Sequence, residues 1–303
     1  MRRWPQPLAV LELLKPVTWF PPMWAFACGA VCSGQSIAQN WVLVLAGMVL
    51  AGPLVCAMSQ AINDWHDRHV DAINEPDRPI PSGRLPGRWG LYVALVWTGL
   101  SLLMGLALGA VVLGATVVGL LLAWAYSAPP LRLKNNGWLG AAACALCYEG
   151  LAWFTGAAVL LSAFPDGRIV ALALLYSLGA HGIMVLNDFK AIEGDRALGV
   201  NSLPVQLGAK RAAHVASLTM ALPQAVVVAL LWHWGQGAHA LAVALLLAAQ
   251  LGFMARYLWN GPNLEANPRR NAAFYNLFGV TAYVTGMMVS AFAVRALLGG
   301  TIA

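Results

Sequence analysis

Residues 41–71 read WVLVLAGMVLAGPLVCAMSQAI and then NDWHDRHVD, so a long apolar run ends abruptly in a cluster of acids. The apolar part is long enough to cross the hydrocarbon core of a bilayer as a helix, which takes about 20 residues. If that helix continues into the acidic part, Asp64, Asp67 and Asp71 recur every three to four residues and share one face. The stretch therefore predicts a membrane helix with a row of carboxylates at one end.

The composition of the whole chain predicts a membrane protein. Of its 303 residues, 60% are hydrophobic and 10% are charged, and the mean hydropathy is +0.68, whereas a soluble domain carries about 25% charged residues. The windows that are apolar and long enough to span a membrane are 17–36, 41–62, 89–108, 109–126, 138–161, 169–187, 212–232, 237–258 and 273–296. We therefore expect an all-α fold, in which residues 1–303 form a single membrane-embedded domain built as a bundle of nine transmembrane helices.

The basic residues indicate the orientation of this bundle. If residues 1–16 form an amphipathic lead-in on the cytoplasmic face, the same face receives the loops 63–88, 127–137, 188–211 and 259–272. Counting Arg256 at a helix end, that face then holds every Lys and Arg except Arg168 and Arg295. This bias is typical of a multi-pass protein of a bacterial inner (intracytoplasmic) membrane, with its N-terminus cytoplasmic and its C-terminus periplasmic. The net charge of +6 therefore requires no nucleic-acid partner.

Most of the acidic residues lie in two segments on that face. They are Asp64, Asp67, Asp71, Glu75 and Asp77 in the first segment, and Asp188, Glu193 and Asp195 in the second. The second segment, NDFKAIEGDR at 187–196, opens with the same Asn-Asp pair as the first and also follows a predicted helix. Carboxylates stacked on one helix face repel one another by a few tenths of a kcal/mol per pair, so a bound cation is expected. Oxygen ligands favour Mg²⁺ or Ca²⁺ over zinc, and Mg²⁺ commonly completes its shell with substrate phosphate.

Two acidic clusters with interleaved basic residues favour two or more magnesium ions that hold a diphosphate. The basic residues in the three loops concerned are Arg68, Arg78, Arg84, Arg132, Lys134, Lys190 and Arg196. Arginine binds phosphate oxygens with two parallel donors, and lysine binds them as a point charge. The alternative is a pair of solvated loops of mixed charge. The shared Asn-Asp start at two helix ends favours the metal interpretation.

Ionisable and thiol groups within the apolar windows allow more than one interpretation. Glu149 lies near the middle of the fifth window, where an ionisable group is costly and usually functional. It either lines an active chamber and contacts the acceptor, or it is a protonated group between packed helices. Cys144 and Cys147 form a CxxC pair, but no second pair or nearby His completes a metal site, which favours a packing role.

Three motifs resemble those of a known family, the UbiA-type intramembrane prenyltransferases. They are NDWHDRHVD at 63–71, YSAPPLRLK at 126–134 and EGDRALGVNSLP at 193–204. Residues 14–26, 71–84 and 147–156 are in addition similar to the chlorophyll and bacteriochlorophyll synthases of that family. The resemblance implies a Mg²⁺-dependent enzyme that esterifies the propionate carboxylate of a (bacterio)chlorophyllide with geranylgeranyl or phytyl diphosphate. Such a reaction releases pyrophosphate and belongs to the last steps of bacteriochlorophyll biosynthesis.

The residues and the resemblance together predict the site. The expected catalytic residues are Asp64, Asp67, Asp71, Asp188 and Asp195, and together with Asn63 they are the expected Mg²⁺ ligands. The expected substrate-binding residues are Asn63, Arg68, Tyr126, Arg132, Lys134, Glu149, Asn187, Lys190, Glu193 and Arg196. Ala191 stands where many quinone-type relatives carry a further Asp, so the second metal shell rests on Asp188 and Asp195, with Glu193 as an additional candidate. Expected partners are the two substrates, the lipid bilayer, and other proteins of pigment biosynthesis or photosystem assembly.

Other functions fit parts of this pattern. A prenyltransferase of the quinone or haem pathway would share the fold and the metal site and differ in its acceptor. A cation-coupled secondary transporter usually places its acids near the bilayer midplane, whereas here only Glu149 lies deep. A non-catalytic pigment-binding scaffold would not need the aspartate motifs. His181, inside the sixth window, is either a group that approaches the chlorin magnesium or a packed neutral histidine.

Overall fold

The chain is helical throughout the part that the computed structural model describes, which is residues 4–197 and 199–299, with the backbone alone at 261 and 262. Within these ranges there is no β-strand, and a single bridge joins Asn136 to Asn201. The helices are α1 (Pro7–Leu14), α2 (Phe20–Cys32), α3 (Trp41–Asn74), α4 (Trp89–Leu108), α5 (Ala110–Ser127), α6 (Gly137–Leu161), α7 (Gly167–Asn187), α8 (Ile192–Ala197), α9 (Leu203–His233), α10 (Gly237–Tyr257), α11 (Gly261–Ala266) and α12 (Pro268–Leu297).

The expectation of an all-helical, multi-pass membrane fold is confirmed. Eight helices among the described residues are long and apolar enough to cross a membrane, namely α3 to α7, α9, α10 and α12. The first predicted window, 17–36, contains α2, which has only 13 residues and therefore spans about 20 Å of a hydrocarbon core of about 30 Å. Helix α2 is short because a separate turn at Pro16–Thr18 precedes it and Gly34, with a φ of 76°, lies just beyond its end.

The expectation that residues 63–88, 188–211 and 259–272 are loops is wrong for much of each segment. Helix α3 continues through the acidic row to Asn74, a turn of 3-10 helix at Asp188–Lys190 leads into α8, and α11 and the start of α12 occupy the last segment. A helix satisfies its own backbone hydrogen bonds in water as well as in lipid. Polar side chains therefore do not end a helix where the membrane ends.

Two membrane helices contain a wider turn. Residues Leu50–Cys56 of α3, around Pro53, and residues Leu146–Leu151 of α6 are π-helical. Pro53 has no N–H to donate, which accounts for the change of register in α3. Single π-helical turns inside α-helices are frequent at functional sites.

Helices α2 and α6 pack closely because both present glycines at their contact. A Cβ atom added at Gly156 would lie 2.0 Å from the carbonyl oxygen of Phe26, and one added at Gly29 would lie 1.8 Å from that of Trp153. Small residues let membrane helices approach along their backbones. Trp153 then stacks on Tyr176 of α7 with ring centroids 5.5 Å apart, which joins α2, α6 and α7 into one core.

We predict that Gly156→Val lowers the thermal stability of the detergent-solubilised protein by several degrees, because the added methyl groups force α2 away from α6. The matched control is Gly114→Val in α5, where an added Cβ meets nothing within 4 Å. The measurement is a thermal unfolding curve of the two variants and the wild type. Equal midpoints for all three would show that the α2–α6 contact is not close.

Candidate functional site

A cavity of about 540 Å³ lies between α2, α3, α5, α6, α7 and α12. Most of its wall is apolar, from residues such as Phe20, Trp24 and Val280. Its polar lining includes Gln60, Asn63, Tyr126, Tyr148, Glu149 and Asn187. Asn63 and Asn187 open the two acidic segments, so both segments begin at the wall of this one cavity.

The acids of the first segment are matched by positive charge. Asp64 is 2% exposed; its Oδ1 accepts a hydrogen bond from Lys15 Nζ at 2.7 Å and a weaker one from Arg78 Nη1 at 3.5 Å. Arg78 Nη1 also donates to Asp71 Oδ2 at 3.0 Å. Buried carboxylates are tolerated only beside such partners. Arg78 thus bridges two aspartates that lie two helical turns apart on α3.

Asp67 has different partners, from the segment after α5. Its Oδ1 accepts hydrogen bonds from Arg132 Nη2 at 3.1 Å and from Lys134 Nζ. Burial lowers the pKa of Lys134 below its usual value, although the charge of Asp67 opposes that shift. The predicted phosphate-binding residues Arg132 and Lys134 therefore do lie beside an aspartate of the first segment.

The second segment also begins at the wall of the cavity. Asn187 lines the cavity, and its Oδ1 accepts a hydrogen bond from Asn276 Nδ2 of α12 at 3.2 Å. Asp188 and Asp195 lie close enough for their charges to repel each other, and burial raises the pKa of Asp195 above its usual value. Tyr126, which lines the cavity, is within electrostatic range of both Asp67 and Asp188. The two segments therefore approach one another around Tyr126.

Four expected substrate-binding residues neither line the cavity nor form ion pairs with Asp64, Asp67 or Asp71 among the described residues. Arg68 lies over the ring of Trp65, 4.1 Å from its centroid, and donates to the carbonyl oxygen of that residue at 2.7 Å. Lys190, Glu193 and Arg196 are exposed. Arg68 is held in this way because Trp65 lies one turn earlier on the same helix, a spacing that is visible in the sequence.

Lys15 is a functional candidate that sequence reasoning missed. It follows α1, whose Glu12 accepts two hydrogen bonds from Arg84, from Nη1 at 2.5 Å and from Nη2 at 2.9 Å. The hydrogen bond from Arg84 lowers the pKa of Glu12. This ion pair holds α1 against the segment after α3. No signal in the sequence pairs residue 15 with residue 64, because the contact is tertiary.

Glu149 and His181 have different surroundings. Glu149 lies in the π-helical turn of α6, lines the cavity and is 4% exposed, and its Oε2 has no hydrogen-bond partner in the described part of the chain. This position agrees with the interpretation of Glu149 as a cavity residue. The ring of His181 stacks on Trp138, 5.9 Å between centroids, and His181 is not among the residues that line the cavity.

The donor set fits a hard cation, although no three His, Cys, Asp or Glu side chains converge into a ready-made metal site among the described residues. Lys15, Arg78, Arg132 and Lys134 occupy the carboxylate oxygens that face them. Asp64 Oδ2, however, is buried without a hydrogen-bond partner in that part of the chain. A buried carboxylate oxygen with no donor is costly, and a divalent cation with oxygen ligands would satisfy it.

Comparison with known proteins places this arrangement in a family. The sequence model of the UbiA prenyltransferase family matches residues 19–297. The chain is 59% identical to the bacteriochlorophyll synthase 33 kDa chain of Cereibacter sphaeroides, over 97% of this chain and 95% of that protein. It is 38% identical to the chloroplastic chlorophyll synthase of Oryza sativa subsp. japonica, over 93% and 76%. The fold is similar to that of a UbiA homolog from Archaeoglobus fulgidus bound to GPP and Mg²⁺, with a TM-score of 0.71, 21% identity, and coverage of 95% and 99%.

We predict that Asp64→Asn weakens Mn²⁺ binding, measured by electron paramagnetic resonance in the presence of inorganic pyrophosphate, by at least about tenfold. Even the outer-shell partners of a metal produce an effect of that size. The control is Asp166→Asn at the other end of α7, where the carboxylate accepts a hydrogen bond from the N–H of Arg168. If both variants bind Mn²⁺ as the wild type does, the cation does not bind at Asp64.

Proposed function

Because the chain belongs to the UbiA prenyltransferase family, we propose that it esterifies the propionate carboxylate of a (bacterio)chlorophyllide with geranylgeranyl or phytyl diphosphate. The observation that carries this proposal is the 59% identity to a bacteriochlorophyll synthase over nearly the full length of both chains. The enzyme is a prenyltransferase embedded in a membrane. The proposal adds the acceptor, the donor and the residues that bind them.

The diphosphate binds where the two acidic segments meet. Lys15, Arg78, Arg132 and Lys134 are already placed around Asp64, Asp67 and Asp71, and each can exchange a carboxylate partner for a phosphate oxygen. Mg²⁺ would be held by Asn63, Asp64, Asp67, Asp71, Asp188 and Asp195, and when bound it neutralises charge on the departing pyrophosphate. The basic side chains contribute to the same neutralisation.

The cavity supplies what the organic part of the reaction requires. The C–O bond between the prenyl C1 and the diphosphate breaks, its electron pair leaves with pyrophosphate, and a carboxylate oxygen of the acceptor forms the new bond to C1. The apolar wall, with Phe20, Trp24 and Val280, holds the prenyl chain and excludes water, which would otherwise capture an allylic cation. A carboxylate is ionised at neutral pH, so the acceptor needs no general base.

The remaining expected substrate-binding residues divide into those that line the cavity and those that do not. Tyr126, Asn187 and Glu149 line the cavity and are assigned to its two substrates. The other four residues are exposed or contact other side chains; they are Arg68, Lys190, Glu193 and Arg196. We assign them no role beyond attracting the diphosphate as it arrives from the aqueous side.

We further propose that residues 1–303 form one domain, with a cytoplasmic N-terminus and a periplasmic C-terminus in a bacterial inner membrane. We also propose that the protein associates with other pigment-biosynthesis or photosystem-assembly proteins.

We predict that membranes containing this chain form an esterified chlorin from geranylgeranyl diphosphate in the presence of Mg²⁺, and that EDTA abolishes the product. Bacteriochlorophyllide, chlorophyllide and 4-hydroxybenzoate are offered in parallel, and the products are separated by chromatography. A prenylated aromatic ring without any chlorin ester would overturn the assignment of the acceptor and would point to a quinone-pathway enzyme of the same fold.

We also predict that Asp67→Ala lowers the rate of chlorin esterification by about a thousandfold or more. The loss of charge neutralisation at the diphosphate costs several kcal/mol of transition-state stabilisation. The control is Asp77→Ala, an exposed acid of the segment after α3 whose side chain is outside the site. Near-normal turnover by correctly inserted Asp67→Ala protein would contradict the assignment of this residue.

A further inference from the structure

We infer that the phenolic hydroxyl of Tyr148, held in place by Gln60, binds the acceptor carboxylate and presents its second oxygen to the prenyl C1. This inference rests on the proposed function, and it adds a catalytic residue that neither the aspartate motifs nor the comparisons identify.

The Gln60–Tyr148 pair lies on the cavity side of the proposed diphosphate site. Both residues line the cavity, Gln60 on α3 and Tyr148 in the π-helical turn of α6. Gln60 precedes Asn63 and Asp64 by about one helical turn, which is a displacement of about 5 Å along α3. The prenyl C1 is bonded to the diphosphate and must extend in the same direction, from the charged helix ends into the apolar cavity. The pair therefore lies at the depth at which the acceptor has to attack.

The phenolic O–H of Tyr148 is free to donate a hydrogen bond to a ligand in the cavity. The phenolic oxygen accepts a hydrogen bond from Gln60 Nε2 at 3.0 Å. Cys56 Sγ lies 3.5 Å from the same oxygen, but its single hydrogen is also within reach of the Thr18 carbonyl oxygen at 3.4 Å. A phenol has one O–H donor besides its acceptor capacity. Because Gln60 already donates to the oxygen and a thiol sulfur is a weak acceptor, the hydroxyl hydrogen is available to a stronger acceptor in the cavity. A group at this position must offer an oxygen with a lone pair.

The surroundings select a carboxylate rather than the diphosphate. The charged donors Lys15, Arg78, Arg132 and Lys134 are all bound to the aspartates, where the diphosphate has the stronger partners. A neutral O–H donor holds an anionic oxygen without the full charge of an ammonium or guanidinium group. The substrate carboxylate then remains nucleophilic, with one oxygen bound and the other free. Reacting atoms must be held about 3–3.5 Å apart for an efficient attack.

The π-helical turn explains how three consecutive residues of α6 can all line the cavity. Consecutive residues of a regular helix point about 100° apart, yet Cys147, Tyr148 and Glu149 all line the cavity. The wider turn at Leu146–Leu151 brings Tyr148 towards α3 and leaves Glu149 facing the cavity as well. Such turns are frequent at functional sites, and this one places two adjacent polar residues on an otherwise apolar wall.

The test is Tyr148→Phe, which removes one hydroxyl and nothing else from the side chain. The kinetics are measured with the full-length protein in membranes, first varying the chlorin acceptor and then varying geranylgeranyl diphosphate. We expect kcat/KM for the acceptor to fall about ten- to a hundredfold, the size expected for a lost hydrogen bond to a charged group. The KM for geranylgeranyl diphosphate should not change. The matched control is Tyr176→Phe, which removes a buried hydroxyl that bonds Ser290 at 2.8 Å outside the cavity, and it should behave as the wild type.

A second variant tests the inference independently, in case Tyr148→Phe does not fold correctly. Gln60→Leu keeps the phenol but removes the donor that orients it, and it should show a smaller loss with the same split between acceptor and prenyl diphosphate. The double variant should lose less than the product of the two single effects, because both changes act on one interaction. Folding is followed by size-exclusion chromatography and thermal unfolding.

The outcomes separate the inference from the proposed function. Unchanged acceptor kinetics of Tyr148→Phe in a preparation whose wild type is active would overturn the inference alone. A rise in the KM for geranylgeranyl diphosphate as large as the change for the acceptor would also overturn it, since the hydroxyl would then bind the diphosphate. A wild type that forms no chlorin ester with any acceptor would overturn the proposed function and the inference with it.

Discussion

The burial of Asp64 and Asp71 at the membrane edge requires positive charge beside them, because a desolvated carboxylate without a partner costs several kcal/mol. Arg78 meets both acids, and Lys15 reaches Asp64 from the segment before α2. The position of Lys15 depends in turn on α1, which the pair between Glu12 and Arg84 fixes to the segment after α3. The folding of both polar segments around α3 thus follows from the need to neutralise its acids.

The same charge balance explains how one bundle can hold both a diphosphate and an apolar chain. The charged side chains lie in the segments that begin at Asn63 and Asn187, beside the cavity, whose wall is mostly apolar apart from side chains such as Gln60, Tyr148 and Glu149. A leaving group with several negative charges is stabilised beside those segments, while the prenyl chain and the reacting carbon remain in a region that excludes water.

The sequence predicts the convergence of the two acidic segments better than it predicts the helices within them. The helical spacing of residues 64, 67 and 71, and the repeated Asn-Asp at 63 and 187, indicated a shared site, and Asn63 and Asn187 do line one cavity. The loop expectation for 63–88 failed because polarity marks the end of the membrane and not the end of α3. Lys15 and Tyr148 lie in the stretches 14–26 and 147–156 that resemble the chlorophyll and bacteriochlorophyll synthases, but the sequence did not indicate a role for either residue. Lys15 acts through a contact with Asp64, which is distant in sequence. Tyr148 reaches the cavity because of a π-helical turn at Leu146–Leu151, and the sequence of that turn has no pattern that predicts it.

The central claim is that both acidic segments bind one diphosphate whose prenyl chain occupies the cavity. The most direct test is an experimental structure of the protein with Mg²⁺ and geranylgeranyl thiolodiphosphate, an analogue whose C–S bond resists ionisation. We predict a diphosphate between Asp64 and Asp188, metal density at the aspartates, and the prenyl chain running past Tyr126 into the cavity. A diphosphate bound to only one acidic segment, or a prenyl chain outside this cavity, would contradict the account.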